Sequence, residues 1–173
     1  MRQPSGCHPP DFRHQPAELH RTSLRTLLYQ QPNLEIQWDE KFQWLYTDWI
    51  GYQTVPDIER GCEQILRLIA AKSCDSILND NRRVEGIWTA AAEWVGKVWF
   101  ADLRRAGLKN FAWIYSPARF SQLSTDEALR HVPPGVVKTF DDYETAVTWL
   151  WKQRQLSKVK TQRIVLPPAS GKG

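Results

Sequence analysis

Cysteine is scarce in this chain. Cys7, Cys62 and Cys74 are the three cysteines among 173 residues. Their odd number and wide separation predict neither a disulfide framework nor a zinc site. Cys62 falls on the apolar side of a predicted helix, where a small buried thiol is the expected role. We therefore expect no metal and no cofactor.

Long apolar runs are also missing. No stretch reaches the roughly 20 apolar residues that a membrane-spanning helix needs, and the first residues lack the apolar core of a secretory signal. Free cysteines are typical of a reducing compartment. These absences predict a cytoplasmic protein without a transmembrane segment.

Basic charge is absent from the middle of the sequence, although the chain as a whole carries +4. Residues 152–173 hold six lysines and arginines and no acid, and residues 1–25 hold four arginines against two acids. The segment 26–151 is therefore net acidic. Because a nucleic-acid-binding domain carries its basic patch on the folded part, a nucleic-acid partner is not favoured.

The composition divides the chain into three parts. Residues 1–22 mix Pro, His, Gln and Arg without apolar periodicity and predict a disordered extension, whose three histidines, six residues apart, lack metal-ligand spacing. Residues 23–155 form one predicted domain. Residues 156–173 predict a disordered basic tail.

The predicted domain begins with strands. Residues 24–29 predict one strand, and Pro32 and Asn33 predict a turn. Apolar residues then alternate in 34–38 and again at Phe42, Trp44 and Tyr46, which predicts an antiparallel hairpin with one apolar face.

Helices and strands alternate after Gly51. Helical periodicity covers 58–69, 87–106 and a final segment from Tyr143, and short apolar runs at 76–78, 111–115 and 136–140 predict strands. Ser124 and Glu127 form a predicted capping box. The order βββαβαβαβα predicts an α/β fold, a mixed sheet with an antiparallel edge and helices packed against it.

The stretch LNDNRRVEGIW, residues 78–88, is the principal candidate binding segment. It is predicted to be a loop between a strand end and a helix start, where open α/β sheets place ligands and where helices favour anions. A turn in which Arg82 or Arg83 pairs with Asp80 is the alternative. The residues predicted to bind a protein partner or an anion are Asn79, Asp80, Asn81, Arg82, Arg83 and Trp88.

Tryptophan is abundant, with nine residues in the chain. The helix predicted at 87–106 is apolar around most of its circumference, so its own fold or a second copy in a homo-oligomer must cover it on more than one side. Its aromatic residues either form core or line a pocket for a small apolar ligand or lipid. The pocket candidates are Trp88, Trp94, Trp99, Phe100 and Tyr115.

Catalytic groups are few. Asp48, Asp80, Glu93 and His131 are the acids and bases considered, and none has a spacing that requires catalysis. Asp48 shares the strand face of Trp44, so a buried carboxylate is one alternative. The favoured expectation is that it caps a turn near the strand end. No catalytic residue is predicted, and an enzyme is the least favoured class.

Four strings carry a resemblance to a known family. WIGYQ at 49–53, LNDNRRVEGIWTAAAEWV at 78–95, WF at 99–100 and AGLKNFAWIYSP at 106–117 resemble the bacterial SpoIIAA-like proteins. That family is related to the STAS domain of anti-sigma-factor antagonists and, more distantly, to the CRAL-TRIO lipid-binding fold. The resemblance, over residues 24–151, implies a sheet with helices mainly on one side and a regulatory module that binds a protein partner.

The resemblance also identifies a departure from the STAS pattern. In anti-sigma-factor antagonists, phosphorylation of a serine between a central strand and the next helix controls partner binding. The corresponding segment here, residues 78–88, contains no serine, and the first hydroxyl is that of Thr89. The resemblance therefore implies a partner-binding surface without that serine switch.

Overall fold

The computed structural model describes residues 24–165, with side chains through Ser157. The predicted extension at 1–22, with Cys7 and three of the histidines, lies outside the described residues. The strands are β1 (Arg25–Gln31), β2 (Leu34–Asp39), β3 (Trp44–Tyr52), β4 (Ser76–Glu85), β5 (Asn110–Ile114) and β6 (Val137–Phe140). The helices are α1 (Val55–Lys72), α2 (Thr89–Trp94), α3 (Phe100–Arg105), α4 (Arg119–Leu129) and α5 (Tyr143–Val165), and a π-helical turn, Val95–Trp99, joins α2 to α3.

The six strands form one mixed sheet in the order β1-β2-β3-β4-β5-β6. The first three strands pair antiparallel, and β3 to β6 pair parallel. This is the predicted α/β fold with an antiparallel edge. The strand order does not reverse among β3 to β6, so the sheet lacks the crevice that a reversal would open for a ligand.

The sheet buries both faces. One face, here called the helix face, packs against α1, the α2–α3 segment and α4, and the opposite face, called the α5 face, packs against α5. Parallel strands alternate their side chains between two covered faces, so β4 and β5 are buried on both sides. No helix in the described range 24–165 is long and apolar enough to cross a membrane.

The hairpin prediction is correct for the pairing and wrong for the apolar face. The register sets Trp38 opposite Leu45, which places Leu45 on the helix face with the apolar residues of β2. Trp44 and Tyr46 lie on the α5 face. Because β3 is buried on both faces, its apolar residues do not mark a single side.

The segment predicted to be a loop is part of a strand. β4 continues from Ser76 to Glu85, so Asn79, Asp80 and Asn81 are buried strand residues rather than loop residues. Such polar residues are disfavoured in strands by propensity. Here they have hydrogen-bond partners on both faces, and burial with paired polar groups outweighs the local preference.

The α2–α3 segment is covered by its own fold. Val95, Trp99 and Phe100 are buried in the core of the helix face, while Val98 is exposed. Gly96 lies within the π-helical turn, where a Cβ atom would come within 2.3 Å of the Ala128 carbonyl oxygen of α4. The apolar circumference of this segment therefore has an explanation that needs no second copy of the chain.

Two boundaries differ from prediction. The capping box at Ser124 is wrong, because α4 begins at Arg119 and Ser124 lies inside it, accepting a hydrogen bond from the Trp88 amide. The final helix runs to Val165, so residues 156–165 are helical rather than a disordered tail. The sequence places no glycine or proline between Tyr143 and Val165 to stop that helix.

Candidate functional site

The polar side chains of β4 divide between its two faces, with an amide network on the helix face and a charged cluster on the α5 face. Its side chains alternate, so Asn79 points to the helix face and Asp80 to the α5 face. The pairing with β3 then shifts by one residue, because Asp48 pairs with Asp80 whereas Ile50 pairs with Arg83. A bulge of this kind redirects side chains. As a result, neighbouring Arg82 and Arg83 both bind carboxylates of the α5 face.

Asp80 is the centre of the charged cluster on the α5 face. Its side chain is 2% exposed and binds Arg82 in a two-pronged ion pair, with Arg82 Nη2 2.7 Å from Asp80 Oδ2. Tyr46 donates its hydroxyl to the same oxygen at 2.9 Å. Arg25 lies over the Tyr46 ring at 3.8 Å from the ring centre. The sequence alternative, in which Arg82 pairs with Asp80, is therefore confirmed, although in a strand rather than a turn.

The cluster fixes the ionisation of its members. Burial raises the pKa of Asp80, but hydrogen bonds from the Arg82 side chain and amide outweigh it, so the net pKa is lowered. Burial and the nearby carboxylates raise the pKa of Tyr46, which keeps the phenol protonated. A charged acid and a neutral phenol held this firmly suit a structural or recognition role better than proton transfer.

Asp48 forms a second ion pair beside the first. It lies within β3, where Arg83 reaches it with Nε 3.1 Å from Oδ1 and Nη2 2.5 Å from Oδ2. The prediction that Asp48 caps a turn is wrong, because its carboxylate binds an arginine on the next strand. The side chains of Arg82 and Arg83 are 47% and 54% exposed, so both arginines are anchored inside and reach the surface.

The helix face of β4 borders a narrow cavity of about 40 Å³. The six lining residues that carry its chemistry are Trp49, Gln53, Asn81, Trp88, Trp99 and Trp113. Four indole rings therefore surround the space. This wall was not predicted as a whole, since Trp113 lay in a run predicted to be a buried strand and Trp49 was not among the pocket candidates.

An amide network supports one side of the cavity. Asn79 accepts hydrogen bonds at its side-chain oxygen from the Thr47 hydroxyl, at 2.8 Å, and the Trp49 indole, at 3.0 Å. Its amide nitrogen donates to the Asn81 side-chain oxygen at 2.9 Å. The first two bonds join residues about thirty positions apart, and together the three hold the wall in one arrangement.

Other polar atoms of the cavity wall lack a partner. The indole nitrogens of Trp88 and Trp113 and the side-chain oxygen of Gln53 are buried without a hydrogen bond among the described residues. The Gln53 amide nitrogen, by contrast, donates to the Ile50 carbonyl at 2.9 Å. Buried polar atoms without partners are uncommon in folded proteins and call for an explanation.

The predicted pocket residues do not all meet. Trp88 and Trp99 line the cavity, and Phe100 packs behind them at 5.1 Å from the Trp99 ring. Trp94 lies outside, along a surface groove between α1 and the α2–α3 segment. Tyr115 instead donates to Asp126 of α4. Long aromatic side chains on one helix point in different directions, which apolar periodicity alone does not separate.

The groups usually responsible for catalysis are engaged elsewhere. Burial raises the pKa of the Cys62 thiol well above its ordinary value, so it stays protonated. Glu93 pairs with Lys97, and His131 lies 3.5 Å from Glu127. Within residues 24–165, no three His, Cys, Asp or Glu side chains cluster in a way that could hold a metal ion.

Exposed apolar residues lie at the carboxyl end of the sheet, at the end of β3, after β4 and at the start of the helix that follows β5. The Tyr52 ring covers Gly86, where a Cβ atom would come within 2.7 Å of it. Ile87 follows and is adjacent to Trp88, whose amide binds Ser124 of α4. Tyr52, Ile87 and Phe120 are 73%, 58% and 65% exposed. We call Tyr52, Arg82, Arg83, Ile87 and Phe120 the carboxyl-end surface.

The comparisons with known proteins give no family for the chain. No family model matches it, and no curated protein or solved structure is significantly similar to it. The resemblance to SpoIIAA-like proteins therefore stays a prediction, and function has to be argued from the residues themselves.

Proposed function

We propose that the protein is a non-enzymatic binding module that binds another protein through its carboxyl-end surface. The observation that carries this proposal is that Tyr52, Ile87 and Phe120 are exposed at the carboxyl end of the sheet, where two anchored arginines also reach the surface. Aromatic, aliphatic and arginine side chains are the usual energetic centres of protein interfaces. The SpoIIAA-like resemblance, with its regulatory partner, agrees with this proposal but does not carry it.

The arginines favour a partner that presents an acidic group beside an apolar side chain. Arg82 and Arg83 each bind their aspartate through Nε and Nη2, and both side chains are about half exposed. Guanidinium N–H groups that the aspartates do not use can therefore donate to a carboxylate or carbonyl oxygen of the partner. Because the aspartates already hold both side chains, little conformational entropy is lost on binding.

The test exchanges apolar residues rather than the arginines. Reversing the charge of Arg82 would leave the buried Asp80 facing a second carboxylate, and unfolding would then be mistaken for lost binding. Ile87→Asp and Phe120→Asp change exposed side chains. We expect affinity capture from an extract of the source cells, followed by mass spectrometry, to recover a protein with the unchanged chain and not with either variant.

Leu27→Asp is the matched control. Leu27 is an exposed apolar residue on β1, at the far edge of the sheet, and its exchange should leave capture unchanged. The isolated partner should then bind the purified chain in solution, with the same loss in the Ile87 and Phe120 variants. Equal recovery by all variants, or equal loss in the Leu27 variant, would reject the carboxyl-end surface.

A lipid carrier is not favoured by the geometry. The aromatic residues predicted to line a pocket are largely packed against one another, and the cavity they leave is about 40 Å³. Pockets for drug-sized ligands have volumes of roughly 300–1,000 Å³. An acyl chain would need much of the aromatic core to open.

A further inference from the structure

The cavity on the helix face combines two features that do not follow from packing alone. It is surrounded by four indole rings, yet the indole nitrogens of Trp88 and Trp113 have no partner among the described residues. Both tryptophans are at least nine-tenths buried. A buried donor without a partner is energetically unfavourable, so a group that supplies acceptors at this place would stabilise the folded chain.

The cavity wall also contains a buried acceptor that lacks a hydrogen-bond donor. The Gln53 side-chain oxygen is buried without a partner, while its amide nitrogen is held by backbone carbonyls that fix the orientation of the group. The lining residues include no charged side chain, and the Cys62 thiol stays protonated. An ion would therefore lose its hydration without meeting an opposite charge.

The π-helical turn contributes to the same wall. Val95 and Trp99, its first and last residues, both line the cavity, and the Trp99 indole is held by the Cys62 carbonyl at 2.9 Å. Single π-helical turns inside α-helices occur frequently at functional sites. The turn is an independent reason to treat this cavity as more than a packing defect.

We propose that this cavity binds a small uncharged molecule that carries both an oxygen acceptor and an N–H or O–H donor, as a primary amide does. The acceptor would bind the Trp88 and Trp113 indoles, and the donor would bind Gln53. A cavity of about 40 Å³ has room for roughly three or four non-hydrogen atoms. The site lies on the opposite face of β4 from the charged cluster. The proposal of a ligand in this cavity can therefore be tested separately from the proposal of a protein partner.

The experiment observes the nine indole N–H groups of the full chain by proton–nitrogen correlation spectroscopy. Acetamide is the probe, and acetate is its charged counterpart of nearly the same shape. We expect acetamide to shift the Trp88 and Trp113 signals saturably, with a dissociation constant in the millimolar range or tighter, and acetate to leave them in place. No saturable shift would show that the cavity binds no amide, and an equal response to acetate would show that the site does not select an uncharged ligand. Either result would overturn the proposal.

Trp88→Phe tests the contact and assigns the signal. It keeps an aromatic ring in the wall and removes one donor, so acetamide binding should weaken roughly two- to tenfold. Trp44→Phe is the control, because the Trp44 indole nitrogen is also buried without a partner among the described residues but lies in the α5-face cluster. Equal weakening by the two variants would contradict the site. Should Trp88→Phe fail to fold, Gln53→Leu removes the acceptor at the rim and should weaken binding by a similar factor.

Discussion

At the scale of single residues, Gly96 sets how closely two helices approach. A Cβ atom there would lie 2.3 Å from a backbone oxygen of α4, at Ala128, and backbone cannot swing aside as a long side chain does. We expect Gly96→Ala to lower the free energy of unfolding by roughly 1–3 kcal/mol. Urea unfolding followed by circular dichroism measures the change.

Lys97→Ala provides the comparison for Gly96→Ala. It changes the next residue of the same π-helical turn but removes only an exposed pair with Glu93, and exposed ion pairs contribute little to stability. If the two variants were equally stable, the close approach at Gly96 would not limit the packing.

Asp80 should make stability depend on pH. Its pKa is lowered in the folded chain, so its stabilising contribution is present above the unfolded pKa of about 3.9 and is lost as the pH falls through the folded pKa. We expect Asp80→Asn to cost about 1–3 kcal/mol near pH 7, since water partly screens the half-exposed Arg82.

The diagnostic result for Asp80 is the pH dependence of the difference. The free energies of unfolding of the unchanged chain and of Asp80→Asn should converge as the pH is lowered below about 4. A gap that stays constant from neutral to acid pH would mean that the variant disturbs packing rather than the ion pair with Arg82.

The residues of β4 also show where sequence reasoning stops. Asn79 to Arg83 have the composition of a turn, and the prediction followed that composition. Their partners include Thr47, Asp48 and Trp49, which lie thirty or more positions earlier. A local pattern contains no information about such distant partners. The ion pair of Asp80 with Arg82, which are two positions apart, was therefore predicted, whereas the strand was not.

At the scale of elements, periodicity was a good guide where only one face is buried. The α1 helix follows its predicted apolar stripe, with Ile58, Cys62, Ile65 and Ile69 all buried. β3 has both faces covered, and Leu45 and Thr47, expected to face outward, are fully buried. Whether one face or two are covered depends on α5, nearly a hundred residues further along the chain.

The α5 helix should tolerate removal of its distal part. Its buried contacts come from Ala146, Val147 and Leu150, and Arg154 binds Asp75 at 2.7 Å. A chain that ends at Ser157 keeps all of these contacts. We therefore expect its free energy of unfolding to stay within roughly 1 kcal/mol of that of the full chain.

Thermal unfolding of the shortened chain provides the check. Arg154→Ala in the full chain is the matched variant, because it removes the ion pair with Asp75 while it keeps the length of α5. Its destabilisation should exceed that caused by the truncation, and the reverse order would place essential contacts beyond Ser157.

At the scale of the whole molecule, β3 links the two cores. Trp44 and Tyr46 belong to the cluster beneath α5, while Leu45 and Trp49 belong to the cluster beneath the other helices. Neither core can open without moving the same strand. We therefore expect a single cooperative transition, with tryptophan fluorescence and far-ultraviolet circular dichroism giving the same midpoint in urea. Separate midpoints would show that the two faces unfold independently.

The one-residue shift between β3 and β4 means that β4 has an extra residue. This extra residue constrains how the sequence of β4 can vary. It interrupts the strand alternation once, so that both arginines lie on the α5 face while Val84 lines the cavity on the helix face. Loss of the codon for either arginine would remove the extra residue and would leave one arginine to pair with two aspartates, Asp48 and Asp80. Natural variants of this protein should therefore show amino-acid substitutions in this stretch far more often than insertions or deletions.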